Sequence, residues 1–366
     1  MKSYGLPHWA EIYLLPAVNL LMALIVCGIV IALIGENPIE ALVVMIKGAF
    51  VFKGSLGFTL YYTTNFIFTG LAVATAFHAL MFNIGGEGQA YLGGLGAALA
   101  AFLFGPHLSP VIVIPLVVAS TAAFGALWAL IPGYLQAYRG SHIVITTIMF
   151  NFLAASLMVW LLAGPLMQAG QQSPQTPILP ESAHIAKFSE VFGVAKSPLN
   201  FSFFIALLSL VAFWVLIWKT RLGYEIRATG KNPDAAKYAG INVPRVIMIT
   251  MIIAGAFAGM MATNEIMGVH NRAILNFTNG FGFTGIAVAL MGRNHPFGIL
   301  LAALLFGALF QGGVELDFEF QSITREMVLL IQGMVILFSG ALAYMMAPIL
   351  ARVLRTLGVI KGEAHG

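Results

Sequence analysis

The sequence predicts an all-α, polytopic membrane protein of about ten transmembrane helices, some broken, with an internal repeat. Three observations carry that expectation. Hydrophobic residues make up 60% of the 366 residues and charged residues 9%, against roughly 25% charged in soluble domains. The apolar share, about 220 residues, supplies ten or eleven helices at ~20 residues per span. Finally, FTGLAVA at 68–74 recurs as FTGIAVA at 283–289, each followed by a glycine-containing break and a small-residue-rich helix. Interrupted helices in corresponding places are a common way to build a central pathway through a membrane.

The first span is predicted over 12–34, with Pro16 and Asn19 tolerable where neighbouring helices satisfy their polar groups. It is too long for a signal-peptide core and lacks a cleavage site, so it reads as an uncleaved span. The single Cys27 lies inside it; an intrachain disulfide is impossible and the thiol reads as a packing group. Residues 35–57 carry Lys47 and Lys53 and read as an interfacial helix. The apolar block 58–104 is interrupted by FNIGGEGQ (82–89). Gly85 and Gly86 are poor helix formers, so two helices and a break are expected, with Glu87 near the start of the second, where the helix dipole favours a carboxylate.

Pro106 and Pro110 mark a turn before a span at 111–131. Pro132, Gly133, Arg139 and Gly140 read as a short basic connection to a span at 143–163. Residues 164–200, rich in Gln, Ser and Pro, read as an external loop. Spans at 201–218 and 246–263 flank the basic loop 219–245, and Gly255 and Gly259 in the second permit close helix packing. Residues 264–279 read as polar and external. Apolar runs at 280–291 and 297–312 flank the turn GRNHP, Glu315, Asp317 and Glu319 read as an acidic outside connection, and a tenth span covers 327–346. The chain therefore divides into a first repeat at about 58–163, the loop 164–200, the loop 219–245, a second repeat at about 246–346 and a tail 347–366. The number of spans makes both copies of the motif run the same way; an inverted pair would need a re-entrant run, for which 280–291 is short enough.

The net charge of +4 needs no nucleic acid to explain it. Basic excess sits in 219–245 and in the tail (Arg352, Arg355, Lys361), as cytoplasmic retention requires. The loop KTRLGYEIRATGKNPDAAKYAGINVPR alone holds six of the 18 Lys and Arg. It also carries its own short helix at 233–239. Asn232 caps it, Pro233 fits the first helical position, Asp234 faces the positive end of the dipole, Ala235, Ala236, Lys237 and Tyr238 continue it, and Gly240 stops it. A solvated linker is the plain reading; a docking knob for a soluble partner is the sharper one.

Catalytic and metal patterns are missing from the sequence. Gly230-Lys231 is followed by Asn232, with Glu225 where a phosphate-binding loop would place glycine. The eight histidines are scattered without a zinc-binding spacing. Only Glu87 and Glu265 among the 14 acids lie near span interiors, which argues against coupling to an ion gradient. The remaining polar residues in or beside spans are the candidates for a solute pathway: Asn83, Glu87 and Gln89 flank the break, with His78, Asn151 and Asn65 beyond it. Each has a plainer reading, as a helix cap, an interhelical hydrogen bond or a dipole charge. A neutral polar lining suits a neutral, hydroxyl-rich solute.

RATGKNPDAAKYAGI (227–241) resembles the cytoplasmic coupling segment of ABC-importer permeases, in the branch handling simple sugars, nucleosides and branched-chain amino acids. Gly230, Asn232, Asp234, Ala235, Ala236 and Gly240 are the matching positions. FNIGGEGQ and GFGFTGIAVALMGRNHPFG (280–298) resemble two signatures of the nucleoside-transporting members. The resemblance implies a non-enzymatic, multi-pass subunit of a bacterial inner (plasma) membrane, and the ten spans read above put both termini in the cytoplasm. It further implies an ATPase chain with two nucleotide-binding modules that holds ATP and Mg, a second permease, expected to be a paralogue, and an extracytoplasmic binding protein. No cofactor and no nucleic acid is expected on this chain, whose other neighbours are membrane lipids. Nucleoside import is the leading expectation. Import of simple sugars such as ribose is the runner-up, ion-coupled carriage is a rival of another class, and an intramembrane enzyme is disfavoured.

Overall fold

The structure, a computed structural model, describes residues 6–7, 9–10, 14–320, 322–338 and 346–356. The described residues are helical throughout, apart from connections and two isolated bridges, Gln175 with Ile274 and Lys187 with Asn200. Among the described residues, five helices are long and apolar enough to cross a membrane, or six if the first two, bent by 118° at a short break, form one span. The chain divides into two compact units, one from residues before 52 and after 308, the other from 52–308.

In the first unit α1 (Leu15–Leu33) is followed by α2 (Pro38–Phe50). Asn37 caps α2 by accepting from the Ile39 N–H at 3.0 Å. The expected acidic connection proves to be helix: α13 (Pro296–Glu319) runs through Glu315, Asp317 and Glu319. Buried Leu316 anchors those last turns, and Gln311 donates to Glu315 at 3.0 Å. In α14 (Arg325–Ile336) the Ile331 carbonyl accepts from the Cys27 thiol at 3.7 Å. The final described element, α15 (Ala347–Thr356), packs Leu350 and Leu354 against Leu15. The end of the predicted tenth span, 339–345, and the tail from 357, Lys361 included, lie outside the described residues.

The second unit is built around α3 (Ser55–His78), α4 (Gly86–Phe104) and α11 (Val243–Ala262). Helices α3 and α4 are richer in Thr, Tyr, Asn and Gly than the five long apolar helices, and most of their residues are buried. Protein surrounds them, so they need no apolar outer face. The predicted break is present between them, at 79–85.

Helix α5 (Pro110–Arg139) corrects the short basic connection: it continues through Pro132 and Gly133 and stops only at Gly140, whose φ is +66°. Proline is tolerated inside a membrane helix where neighbours re-satisfy the backbone, and Pro132 is buried with Gly133 closing on Met251. Helix α6 spans Ile143–Ala163 as expected. The loop 164–200 contains the short α7 (Phe188–Phe192) and is tied to 267–274: Leu179 N–H donates to the Asn271 carbonyl at 2.8 Å and Ile185 N–H to Met267 at 2.9 Å. Helices α4, α5 and α11 meet on glycine. A Cβ at Gly125 would strike the Gly255 carbonyl, one at Gly259 the Thr121 carbonyl, and one at Gly93 the Gly259 carbonyl.

The two copies of the repeated motif lie against each other on α3 and α12 (Phe281–Met291). Phe66 meets Phe281, Thr69 faces Gly285, Gly70 faces Val288 and His78 reaches Asn294. Both numbers rise together, so the two helices run side by side in the same sense.

Candidate coupling segment and pathway

Helix α8 (Ser202–Lys219) delivers the chain to the basic loop. The sequence predicts one helix there; the structure has two. The additional one, α9 (Arg221–Lys231), begins at Thr220, whose hydroxyl accepts from Gly223 N–H at 3.0 Å, and carries an Arg221–Glu225 pair at 3.1 Å. Its buried side holds Gly223, Ile226 and Thr229, and Gly223 closes on the end of α8 at Leu216 and Ile217.

Asn232 then serves both helices. Its N–H donates to the Ala228 carbonyl at 3.1 Å, ending α9, while its side-chain oxygen accepts from Asp234 and Ala235 N–H, each at 3.0 Å, starting α10 (Pro233–Tyr238). Gly240, at φ +81°, lets Ile241 N–H return to the Ala236 carbonyl at 3.0 Å, a paired stop that satisfies the last carbonyls. Ala236 is the inward face at 3% exposure, whereas Tyr238 stands 95% exposed. Three residues after Gly240 the chain enters α11, so this knob is joined directly to a long helix.

The break after α3 is held by the polar residues the sequence singles out. Asn83 and Gln89 exchange amide hydrogen bonds of 3.1 and 3.2 Å, and Asn83 also accepts from Gly85 N–H at 2.9 Å. Asn151 on α6 spans the break, donating to the Ile84 carbonyl and accepting from Gly88 N–H, both at 2.9 Å. Thr147 accepts from Ile84 N–H at 3.3 Å. Backbone groups freed by the interruption thus find side-chain partners, as a broken membrane helix requires.

Glu87 links this break to the second copy. Its carboxylate accepts from Gly280 N–H at 2.9 Å and Gly282 N–H at 2.8 Å, with Thr278 as a further side-chain partner. One carboxylate therefore sits in the first turn of α4 and at the N-terminus of α12, where two positive dipole ends meet. Gly282 leaves no room for a side chain beside Glu87. Every non-glycine residue of positive φ among the described residues lies at an interruption: Leu80, then Asn271, Asn276 and Asn279, then Arg293 and Asn294.

Asn65 belongs to a separate buried network that sequence reasoning missed. Residues 264–270, expected in an external polar segment, instead continue α11 as a π-helical stretch, Thr263–His270. Glu265 is 0% exposed and accepts from the Tyr61 hydroxyl and the Asn65 amide, both at 2.6 Å; His270 approaches at 3.4 Å. Asn264 donates to Asn65 at 2.9 Å and accepts from Asn200 at 2.8 Å and Ser202 at 3.0 Å. The signal lay in Asn264 and Glu265 following an apolar run without a turn residue between. A buried acid with this many donors is stable where a lone one is not, and π-helical insertions recur at functional sites. His78 lies apart from both groups, at the far end of α3, with Nε2 3.0 Å from the Asn294 carbonyl.

Residues 55–340 match the family described as branched-chain amino acid transport system / permease component. The chain belongs to that family of ABC-importer permeases. This permease is 35% identical over 329 residues to the guanosine ABC transporter permease protein NupP of Bacillus subtilis, covering 89% of this chain and 92% of that one. It is 33% identical over 337 residues to the glucose ABC transporter permease protein TsgB13 of Haloferax volcanii, covering 91% and 88%. It is likewise 33% identical over 329 residues to the nucleoside ABC transporter permease protein NupB of Lactococcus lactis, covering 89% and 90%. The permease is thus a multi-pass, non-catalytic transmembrane subunit, and its family implies a separate ATPase that binds ATP and a solute-binding protein.

Proposed function

We propose that this permease imports nucleosides, with α10 as the element that docks in its ATPase. The capped, protruding α10 joined to the long α11 is the observation that carries the coupling role, through Gly230, Asn232, Pro233, Asp234, Ala235, Ala236, Tyr238 and Gly240. ATP binding, with Mg, closes a two-module ATPase; α10 follows the closing surface, and α8 and α11 switch the pathway between outward and inward access. Two of the three relatives above are named for nucleosides or guanosine, and the signatures at 82–89 and 280–298 point the same way. Glucose is the second reading, carried by the Haloferax volcanii relative, 33% identical over 91% of this chain.

In this proposal α1, α3, α4, α5, α6, α8, α11, α12, α13 and α14 are the ten spans, both termini are cytoplasmic, α2 lies at the interface and 164–200 faces outward. The parallel pairing of α3 and α12 supports an internal repeat running in one sense. Asn83, Glu87, Gln89 and Asn151 frame the solute pathway by fixing its interrupted backbone, with Asn65 at one end of it, and a related second permease completes the pore. The test is uptake of radiolabelled guanosine and glucose by the complete importer in proteoliposomes. Guanosine should accumulate with internal ATP and regardless of an ionophore. Accumulation of glucose but not guanosine would replace the substrate, and uptake abolished by ionophore despite ATP would replace the mechanism.

A further inference from the structure

We infer that His78 is a positioning residue that ties the coupling segment to the turn after the second copy of the repeat. Two independent contacts meet on this one residue. From the cytoplasmic loop, α9 rests Gly230 against the His78 backbone, so closely that a Cβ there would strike the His78 carbonyl oxygen and stand 3.1 Å from Ala79 Cα. From the other side, the His78 ring reaches the Asn294 carbonyl at 3.0 Å. A carbonyl only accepts, so Nε2 carries the proton and donates. Asn294 and its neighbour Arg293 both hold left-handed backbone, φ +55° and +51°, in the turn where α12 gives way to α13. Strained turns of this kind persist only where their surroundings fix them.

The ring is also gripped. Trp218, on the last turn of α8, lies edge-on to His78 at 5.2 Å and to His295 at 5.3 Å. His78 therefore joins the end of α3, the end of α8, the coupling helix pair and the 292–295 turn. A displacement of α9 and α10 reaches the start of α13 through this side chain. The inference rests on the coupling role proposed for α10, and the two fail separately.

The experiment measures ATP hydrolysed per solute imported by the complete importer in proteoliposomes, with radiolabelled guanosine, or glucose if the parent complex accumulates that instead. His78→Phe keeps a ring against Trp218 but offers no donor to Asn294. His78→Gln keeps a donor at comparable reach. His78→Phe should raise the ATP-to-solute ratio about five-fold or more, the lower end of usual coupling strengths, while His78→Gln stays close to the parent. Gly230→Ala, pressing on the same residue from α9, should also raise the ratio and serves if His78→Phe does not insert. A parent-like ratio in His78→Phe, or a His78→Gln variant as uncoupled as His78→Phe, overturns the assignment. Tyr238→Asp separates the two readings. If it leaves ATPase attachment and ratio unchanged the coupling role of α10 fails, and if it uncouples while His78→Phe does not, only the junction fails.

Discussion

At the scale of residues, the polar groups within this membrane protein are mostly occupied with its own backbone. Asn151 makes two bonds across the break, to the Ile84 carbonyl and from Gly88 N–H. Asn151→Ala leaves both backbone groups without partners, each costing about 1–3 kcal/mol when buried. A clearly lowered unfolding midpoint in detergent is expected, with Asn151→Asp, which keeps only the acceptor, falling between. An unchanged midpoint in the alanine variant would mean that other groups hold the break. The sequence shows that Asn151 sits inside an apolar run, which marks it as special, but a hydrogen bond across 67 positions has no local signature. Glu265 teaches the same lesson from the other side. A polar stretch after an apolar run reads as an exit to water, and only the Tyr61 and Asn65 donors make continued burial affordable.

At the scale of elements, glycine decides how closely α4, α5 and α11 approach. Gly259 closes on the Thr121 carbonyl and on Gly125, and Gly93 on Gly259 in turn. Gly259→Leu forces backbones apart, so little monodisperse protein is expected on size-exclusion chromatography. Gly333 on α14 has open space where a Cβ would stand, so Gly333→Ala should be stabilising, by up to about 1 kcal/mol from helix propensity, read as a raised thermal midpoint. Equal behaviour of the two variants would show that close approach is not what Gly259 provides. The pair Gly255 and Gly259 is visible in sequence as a spacing, yet the facing helices are not. The capped α10 was fully legible because its determinants, Asn232, Pro233, Asp234 and Gly240, lie within nine residues. Its neighbour α9 was not, because its packing rests on Gly223 closing on the end of α8.

At the scale of the whole molecule, the coupling proposal requires α10 to face the cytosol. A single cysteine placed as Tyr238→Cys in a Cys27→Ser chain should react with a membrane-impermeant maleimide only in inside-out vesicles. Reaction in intact cells would place the basic loop outside and remove the ATPase from the mechanism. The background is convenient because Cys27 is the only natural thiol.

Sequence alone determined what depends on composition and on short stretches: a helical membrane chain, a break within the apolar block 58–104, the bounds of α6 and the design of α10. These follow from partition into lipid and from caps a few residues apart. Tertiary structure decided which interruptions meet, through the carboxylate of Glu87 at the start of both α4 and α12. It also decided that α5 passes through Pro132, that α11 continues into a buried π-helical stretch, and that His78 meets the Asn294 carbonyl rather than the break. Each of those outcomes depends on partners far along the chain, and a polar group in a membrane takes its state from whichever neighbour satisfies it.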